Sequence, residues 1–301
     1  KLSHGPTPLF ELVAEVKRPK APFAGGQTVA FVGDSITHAG GYAFYVQLFQ
    51  ALRAPQSRTR VGNGGISGDQ LRDLLGRWTR DIVPMKPDVI FLMEGMNDVG
   101  RGNYRAKPAA ADTFAVRTNA LARYLANLGS AADLATKLAK EVRLVTPSPY
   151  DSYGDYGTEN LQSANDEGLA ACAEAVRLVA AEKGLPFVEL QRPLTDILKA
   201  HPKKLLWGKD RVHPGDAGHL LMAAHLLEQL GVSGEVATTE KDANGRDTLS
   251  FDYAPDAFPF PAVPELEAVK SVYPFDERLN RETLVVRNLP DGDYELAFDG
   301  R

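Results

Sequence analysis

The sequence predicts a mixed α/β fold built around a parallel β-sheet. Short apolar stretches, typical of buried strands, alternate five times with stretches whose apolar residues recur at helical spacing. This alternation is typical of a parallel sheet with helices on both faces. Polar residues directly follow several of the expected strands, at the edge where open α/β folds bind their ligands. The 301 residues are enough for one large domain or two modest ones.

The first expected strand is Thr28–Val32, which ends at a glycine followed by a polar turn. A serine just past a strand end is a candidate nucleophile, and Ser35 holds that position. The alternative is a purely structural one, because Asp-Ser pairs are also common at helix N-termini. Apolar residues at helical spacing then predict a helix over Tyr42–Leu52.

The second expected strand is the short segment Arg60–Asn63. It runs into a glycine-rich stretch, 64–69, and then into a helix expected from about Gln70 to Ile82. Asp69 is a plausible N-cap for that helix.

The third strand, Asp88–Glu94, is the clearest buried strand in the sequence. It follows Pro87 and ends at the polar segment Gly95–Asp98. A long helical region is expected over Ala109–Lys140, with a break near Gly129.

The fourth strand is expected at Val142–Val145, before a loop rich in tyrosine and glycine, Pro147–Gly157. A helix over Leu161–Lys183 leads to the fifth strand, Pro186–Leu190. A short helix near Pro193–Ala200 completes this part of the chain.

The last elements are a loop, Asp210–Pro214, and a helix over Asp216–Leu230 with leucines along one side. Right-handed crossovers favour the strand order 2-1-3-4-5 of flavodoxin-like, three-layer α/β/α folds. In that order, every candidate chemical residue follows a strand or lies on a loop that can reach the carboxyl edge of the sheet.

The domain organisation is expected to have three parts: an N-terminal arm (1–27), a main domain (28–231) and a β-rich C-terminal extension with a linker (232–301). One helical turn is expected around Leu9–Val16 of the arm. In the extension, Thr283–Asn288 and Asp293–Phe298 alternate around a Pro-Asp-Gly turn, which predicts a β-hairpin. The natural chain is expected to continue past Arg301.

Composition excludes several classes of protein. The net charge of −5 argues against a nucleic-acid partner, and no apolar run is long enough for a membrane span. With one cysteine, Cys172, the chain has no intramolecular disulfide and no cysteine-based metal cluster. Because the sequence starts at Lys1 rather than Met, a removed signal peptide or a trimmed chain is expected. The expected location is secreted or periplasmic, with the cytoplasm as the alternative; the oligomeric state is left open.

Four polar blocks stand in order along the chain: Gly33–Ser35, Asn63–Asp69, Gly95–Asp98 and Asp210–Pro214. Together they resemble those of the SGNH (GDSL-type) hydrolases, a family named for its Ser, Gly, Asn and His, one from each block. The resemblance covers about residues 28–231 in block order and spacing. Each block alone is a weak signal, whereas the four together are specific.

Acyl transfer requires a nucleophile, a base, a group that orients the base, and donors for the oxyanion. Ser35 supplies the hydroxyl and His213 the base, while Asp210, three residues before the histidine, can reach its ring. The family has this same D-x-x-H spacing, which implies a catalytic triad of these three residues. The resemblance also implies an oxyanion hole made by the backbone N–H groups of Ser35 and Gly68 and the side-chain amide of Asn97.

Six further residues are expected near the substrate, and they are Asp34, Gly65, Met96, Arg101, Tyr104 and Tyr153. Asp34 has an alternative role in bonding the backbone of its turn, and Gly65 is the second candidate for the oxyanion glycine. Met96 is expected to shape the floor of the pocket. A metal site built from Asp34, Asp210 and His213 would leave Ser35 unexplained, and no metal or cofactor is expected.

The resemblance implies a serine esterase that forms an acyl-enzyme. The Asp-Ser-Ile-Thr form of the first block is similar to carbohydrate-esterase-like members, which favours a short acyl group, expected to be acetyl, on a small-molecule or polysaccharide ester. The alternatives are a lysophospholipase or thioesterase and a general esterase of small esters. A different class, a carbohydrate-binding protein without turnover, would keep the same fold.

Overall fold

The computed structural model describes residues 18–105, 113–253, 255 and 257–297. Five parallel strands form the main sheet in the order β2-β1-β3-β4-β5, which confirms the predicted topology. The strands are β1 Thr28–Gly33, β2 Arg60–Gly65, β3 Val89–Met93, β4 Glu141–Val145 and β5 Phe187–Val188.

Helices cover both faces of this sheet, as the right-handed crossovers require. They are α1 Ser35–Ala39, α2 Gly41–Arg53, α3 Leu71–Arg77, α4 Thr113–Leu138, α5 Ala170–Lys183, α6 Gln191–Ala200 and α7 Asp216–Gln229. Helices α2 and α7 pack against each other, and α4 packs on α3 and α5. The sheet therefore lies between two helical layers.

The centre of the core is the pair β1 and β3. All five residues of β3 are buried, and Phe31 lies opposite Phe91 in the register of the two strands. Their rings stack with a centroid distance of 4.9 Å. Burying a side chain of this size contributes about 1.5–3 kcal/mol, so apolar packing holds the middle of the sheet firmly where the turn to Ser35 begins.

The predicted break of the fourth helix near Gly129 is wrong, because α4 runs unbroken from Thr113 to Leu138. A glycine inside a helix costs only about 1 kcal/mol, and packing against α3 and α5 outweighs it. The beginning of the expected helix, 109–112, lies outside the described residues, as does the helical turn expected around Leu9–Val16.

Asp69 is not the N-cap of α3, as the sequence had suggested. Gln70 holds that position and forms a capping box with Asp73. The Asp69 carboxylate instead lies 2.5 Å from the guanidinium of Arg77, where both side chains are buried. The long-range ion pair therefore takes the carboxylate that local capping would have used.

The C-terminal extension contains a two-stranded sheet, but its strands do not form the predicted hairpin. Strand β6 (Glu235–Asp242) pairs in parallel with β7 (Arg281–Arg287). A parallel pair needs a long crossover, and two short helices provide it: α8 Pro264–Lys270 and α9 Phe275–Leu279. Over 293–297, the described part of the expected second strand, the chain is irregular.

Residues of this crossover belong to the same hydrophobic core as the main sheet. Leu266, Val269 and Phe275 are buried within it, and α8 and α9 both pack on α7. The buried guanidinium of Arg53, at the end of α2, donates to the carbonyl of Leu279 at 2.7 Å. The domain boundary near residue 231 stays a prediction.

Candidate active site

The turn Gly33–Ser35, which we call the nucleophile turn after the role expected of Ser35, connects β1 to α1. The side chain of Asp34 accepts a hydrogen bond from the N–H of Ile36 at 2.9 Å and so caps the helix. Ser35 is the first residue of α1, so its N–H has no acceptor within the helix. A Cβ at Gly33 would lie far inside van der Waals contact of the Met93 carbonyl, so only glycine permits this turn.

Three side chains of the first and fourth blocks form a continuous hydrogen-bonded chain. His213 Nε2 lies 2.8 Å from Ser35 Oγ, and His213 Nδ1 lies 2.5 Å from Asp210 Oδ2. The other carboxylate oxygen of Asp210 accepts the backbone N–H groups of Val212 at 2.9 Å and of His213 at 3.0 Å. One oxygen thus fixes the loop and the other orients the imidazole.

The charge of Asp210 suits this arrangement. Partial burial raises the pKa of the Asp210 carboxyl, but its hydrogen bonds with the His213 ring and with the two backbone N–H groups outweigh burial. The net pKa lies below its ordinary value. The carboxylate is therefore ionised when the imidazole needs a negative partner.

The second and third blocks bring hydrogen-bond donors to the same edge of the sheet. Gly68 has a left-handed backbone, with φ of 86°, and its N–H has no protein acceptor in the described chain. The side-chain amide of Asn97 donates one hydrogen to the carbonyl of Asp69 at 2.8 Å, which leaves its second hydrogen for a ligand. The N–H of Gly65 is already used, because it donates to Asn63 Oδ1 at 2.9 Å.

The glycine-rich block also holds the nucleophile helix in place. The amide of Asn63 donates to the carbonyl of Thr37 at 2.8 Å, and His38 Nδ1 lies 2.9 Å from Ser67 Oγ. A Cβ at Gly65 would lie 2.7 Å from the carbonyl carbon of Thr37. The end of β2 therefore touches the backbone of α1 directly.

Three buried or largely buried carboxyls belong to the turns that end β1 and β3. Burial raises the pKa of Asp34 to about 6 and that of Asp98 to about 6. Glu94 is 2% exposed, and neither of its carboxyl oxygens has a hydrogen-bond partner among the described residues. Burial, followed by the nearby Asp34 carboxyl, raises the pKa of Glu94 well above its ordinary value. The sequence pattern predicts Glu94 as the last residue of a strand and does not mark it as chemically unusual.

Three other residues expected near the substrate are Arg101, Tyr104 and Tyr153, and each has a partner within the protein. Arg101 is half-buried and donates to the carbonyl of Met96; burial lowers the pKa of its guanidinium, which Asp34 and Asp210 oppose. Tyr104 is instead covered by another guanidinium, whose carbon lies 4.1 Å from the ring centroid. The hydroxyl of Tyr153 donates to the Asp166 carboxylate, in the π-helical turn Ala164–Leu169 directly before α5, at 3.4 Å.

Two histidines of α7 and the cysteine lie inside the protein. His219 and His225, both on α7, are buried, and burial lowers the pKa of each. Cys172 is buried, and burial raises the pKa of its thiol. Within the described ranges, no three His, Cys, Asp or Glu side chains are grouped so that they could hold a metal ion.

One family model and one relative of known activity each match more than half of the chain. A model of the GDSL-like lipase/acylhydrolase family matches residues 31–221. An acetylxylan esterase of Geobacillus stearothermophilus is 34% identical over 223 residues, which are 68% of this chain and 94% of that protein. The crystal structure of an acetylxylan esterase from the same organism superposes with a TM-score of 0.56 and 30% identity, over 70% of this chain and 96% of that one.

A second solved relative covers more of the chain. A gut microbial diltiazem-metabolizing enzyme matches 89% of this chain and 68% of its own, with a TM-score of 0.77 and 26% identity. Solved catalytic mutants of the acetylxylan esterase include replacements of a serine, an aspartate and a histidine by alanine. That aspartate and that histidine are three residues apart, as Asp210 and His213 are here.

Proposed function

The chain belongs to the GDSL-like lipase/acylhydrolase family, and we propose that it is a serine esterase that removes acetyl groups from carbohydrates. The observation that carries the proposal is the chain of hydrogen bonds from Ser35 through His213 to Asp210, at 2.8 and 2.5 Å. A hydroxyl, an imidazole and a carboxylate in this order are what acyl transfer through a covalent intermediate requires.

In the first half of the reaction, Ser35 Oγ attacks the ester carbonyl while His213 Nε2 takes the hydroxyl proton. The negative charge that develops on the carbonyl oxygen is bound by the N–H groups of Ser35 and Gly68 and by the amide of Asn97. Collapse of the tetrahedral intermediate breaks the bond to the alcohol, which leaves with the proton from His213. Ser35 then carries the acyl group.

In the second half, His213 takes a proton from a water molecule, which attacks the acyl carbonyl. The same donors bind the second oxyanion. When the intermediate collapses, the proton returns to Ser35 Oγ and the carboxylic acid leaves. Asp210 stays ionised throughout and stabilises the imidazolium that forms twice in each cycle.

Acetyl is favoured as the acyl group because a relative that matches 68% of this chain is an acetylxylan esterase. Of the remaining predicted contacts, Arg101 is the best supported, because its charge lies within electrostatic range of both Asp34 and Asp210. Asp34 caps α1, and Gly65, at the end of β2, lets that strand approach the backbone of α1. Neither role requires contact with substrate.

The proposed substrate is an ester whose alcohol is a carbohydrate.

No described helix has the length and apolar character needed to cross a membrane. A secreted or periplasmic location stays a prediction, as does the role of Met96, Tyr104 and Tyr153 in substrate binding.

The test compares the hydrolysis of p-nitrophenyl acetate, butyrate and octanoate, and the release of acetate from acetylated xylooligosaccharides. We expect turnover to fall with acyl length and to vanish in Ser35→Ala. Ser130→Ala, which changes a helix-surface serine, is the matched control and should keep full activity. Octanoate preferred over acetate would favour a lysophospholipase or thioesterase.

The binding-protein alternative is tested with a fluorophosphonate probe. The enzyme should be labelled at Ser35, and Ser35→Ala should not be labelled. A folded wild-type protein that takes no label and releases no acetate would contradict the proposed function.

A further inference from the structure

Arg211 stands between the two triad residues of the fourth block and has an unusual backbone. Its φ of 64° lies in the left-handed region, which a residue with a long side chain seldom adopts. Its N–H donates to the carbonyl of Gly208 at 2.8 Å. The turn at Arg211 therefore sets the direction in which the chain leaves Asp210 and returns at His213.

The side chain of Arg211 is buried, with 4% of its surface exposed, and holds a neighbouring segment that we call the tyrosine loop (150–158). Nη1 donates to the carbonyls of Asp151 at 3.0 Å and Gly154 at 2.7 Å. Nε donates to Thr158 Oγ1 at 3.2 Å, and Nη2 to the Thr158 carbonyl at 3.3 Å. A planar guanidinium can bind several carbonyls in this way, whereas a lysine ammonium cannot reach them all.

Three more contacts join the same two segments. The N–H of Asp151 donates to the Arg211 carbonyl at 2.8 Å, and the hydroxyl of Thr158 donates to the Lys209 carbonyl at 2.9 Å. The Tyr156 ring lies under the Arg211 guanidinium at 5.1 Å. The loop Asp210–Pro214, which we call the triad loop, and the tyrosine loop are thus one unit with Arg211 at its centre.

We propose that Arg211 is a positioning residue for the triad: its hydrogen bonds to the tyrosine loop hold the left-handed turn that places the Asp210 carboxylate against His213. The proposal rests on the proposed function. Arg211 itself touches neither Ser35 nor the His213 ring, so it acts through the loop. Without the guanidinium, the turn loses the hydrogen bonds that tie it to the tyrosine loop, and the carboxylate loses its fixed position.

The test uses Arg211→Gly and Arg211→Lys with p-nitrophenyl acetate as substrate. Glycine tolerates the left-handed backbone and leaves a space of guanidinium size, whereas lysine keeps the charge without the planar group. We expect kcat to fall at least 10-fold in both variants while KM changes less than threefold. Adding guanidinium ion at millimolar concentration should restore kcat of Arg211→Gly at least fivefold and leave Arg211→Lys unchanged.

Arg53→Gly is the matched control. Arg53 is also buried and donates to two carbonyls, those of Phe258 at 2.8 Å and Leu279 at 2.7 Å. However, it joins α2 to the C-terminal extension and does not touch the loop that carries Asp210 and His213. This variant should have a lower Tm with wild-type kcat and no response to guanidinium. If Arg211→Gly also shows a lower Tm, wild-type kcat and no response to guanidinium, then Arg211 has a purely structural role and the proposal is overturned.

Each remaining outcome decides the question. If Arg211→Gly does not fold, Arg211→Lys carries the test, and a folded Arg211→Lys with wild-type kcat overturns the proposal. If Ser35→Ala retains full turnover, the proposed function fails. If Ser35→Ala is inactive and the Arg211 variants turn over like the wild type, only the role of Arg211 fails.

Discussion

Single residues at the carboxyl edge of the sheet each perform one task while their neighbours hold them in place. Asn97 is an example, because one amide hydrogen is bonded to the Asp69 carbonyl and the other remains available. Its side chain therefore cannot rotate freely, and the second N–H points in a fixed direction. Such fixed donors stabilise a developing oxyanion without reorganising during the reaction.

Asn97→Ala should lower kcat for p-nitrophenyl acetate by about 10²–10³-fold, because one oxyanion donor is lost. The KM should change little, since the donor binds charge that exists only in the transition state. Steady-state kinetics on the purified variant measure both parameters. An unchanged kcat would exclude Asn97 from the oxyanion hole.

Asp34 should make the stability of the protein depend on pH. Burial raises its pKa in the folded protein from 3.8 to about 6, so between these values the folded state keeps a proton that the unfolded state has lost. The free energy of unfolding should therefore fall as pH rises from about 4 to about 6, by up to about 3 kcal/mol. Asp98, whose pKa is also raised by burial to about 6, acts in the same direction.

Asp34→Asn isolates this contribution, because an amide oxygen can still accept the N–H of Ile36 but does not ionise. Urea unfolding at pH 4.5 and 7.5 should show a smaller loss of stability in the variant than in the wild type. Part of the dependence should remain, since Glu94 and Asp98 are unchanged. An identical loss in both proteins would show that Asp34 is not the group responsible.

At the scale of elements, local patterns predicted those parts of the fold that local forces decide. The apolar run of β3 and the helical spacing of α2 marked both elements, because their burial is written in the order of side chains. The prediction of Asp69 as a cap is wrong because its partner, Arg77, is eight residues away, beyond the reach of a local capping pattern. Likewise, β6 is mostly polar, with only Val236 and Ala237 buried, so its sequence alone does not predict a strand. Its pairing partner is β7, which follows more than 35 residues later.

In the candidate site, too, the local sequence pattern predicts some residues, whereas others depend on contacts with distant segments. The four blocks predict that Ser35, Asp210 and His213 are neighbours in space, since Ser35 follows a strand and the other two lie on a loop that can reach the same edge of the sheet. Arg211 gave no signal, because neither its left-handed backbone nor its carbonyl partners on the tyrosine loop are visible in a single sequence. Contacts between two irregular segments follow no periodicity.

Gly65→Ala should disturb the nucleophile helix, because the new methyl group would lie 2.9 Å from the Asp34 carbonyl oxygen and still closer to the backbone of α1. Backbone cannot move aside as a side chain does, so we expect a loss of about 1–3 kcal/mol and reduced kcat. Gly76→Ala is the control, since α3 offers open space there and alanine favours helix by about 1 kcal/mol. Equal stability of the two variants would contradict the packing of β2 on α1.

At the scale of the whole molecule, the C-terminal extension is part of the structure that supports the site. Phe275 is 1% exposed and packs on the ring of Phe260, with a centroid distance of 5.1 Å. Both belong to the core that includes α7, the helix that follows the triad loop. The C-terminal extension and the helix that follows His213 therefore share one hydrophobic core.

Phe275→Ala should destabilise the protein by about 3–5 kcal/mol, the usual cost of removing a buried aromatic ring. Phe258→Ala is the matched control, because that ring is 60% exposed. Thermal unfolding should show a single transition whose midpoint falls only in the Phe275 variant. Two separate transitions in the wild type would mean that the extension unfolds independently.

The nucleophile and its base differ in how firmly they are anchored. Ser35 follows β1, which has a strand on either side, whereas His213 is itself exposed and lies on a loop, outside the sheet, 178 residues further along the chain. Amide hydrogens of β1 should exchange with solvent only through global opening, whereas those of the loop can exchange through local opening. In mild denaturant, the enzyme should therefore lose activity before its circular dichroism changes, and it should recover immediately on dilution.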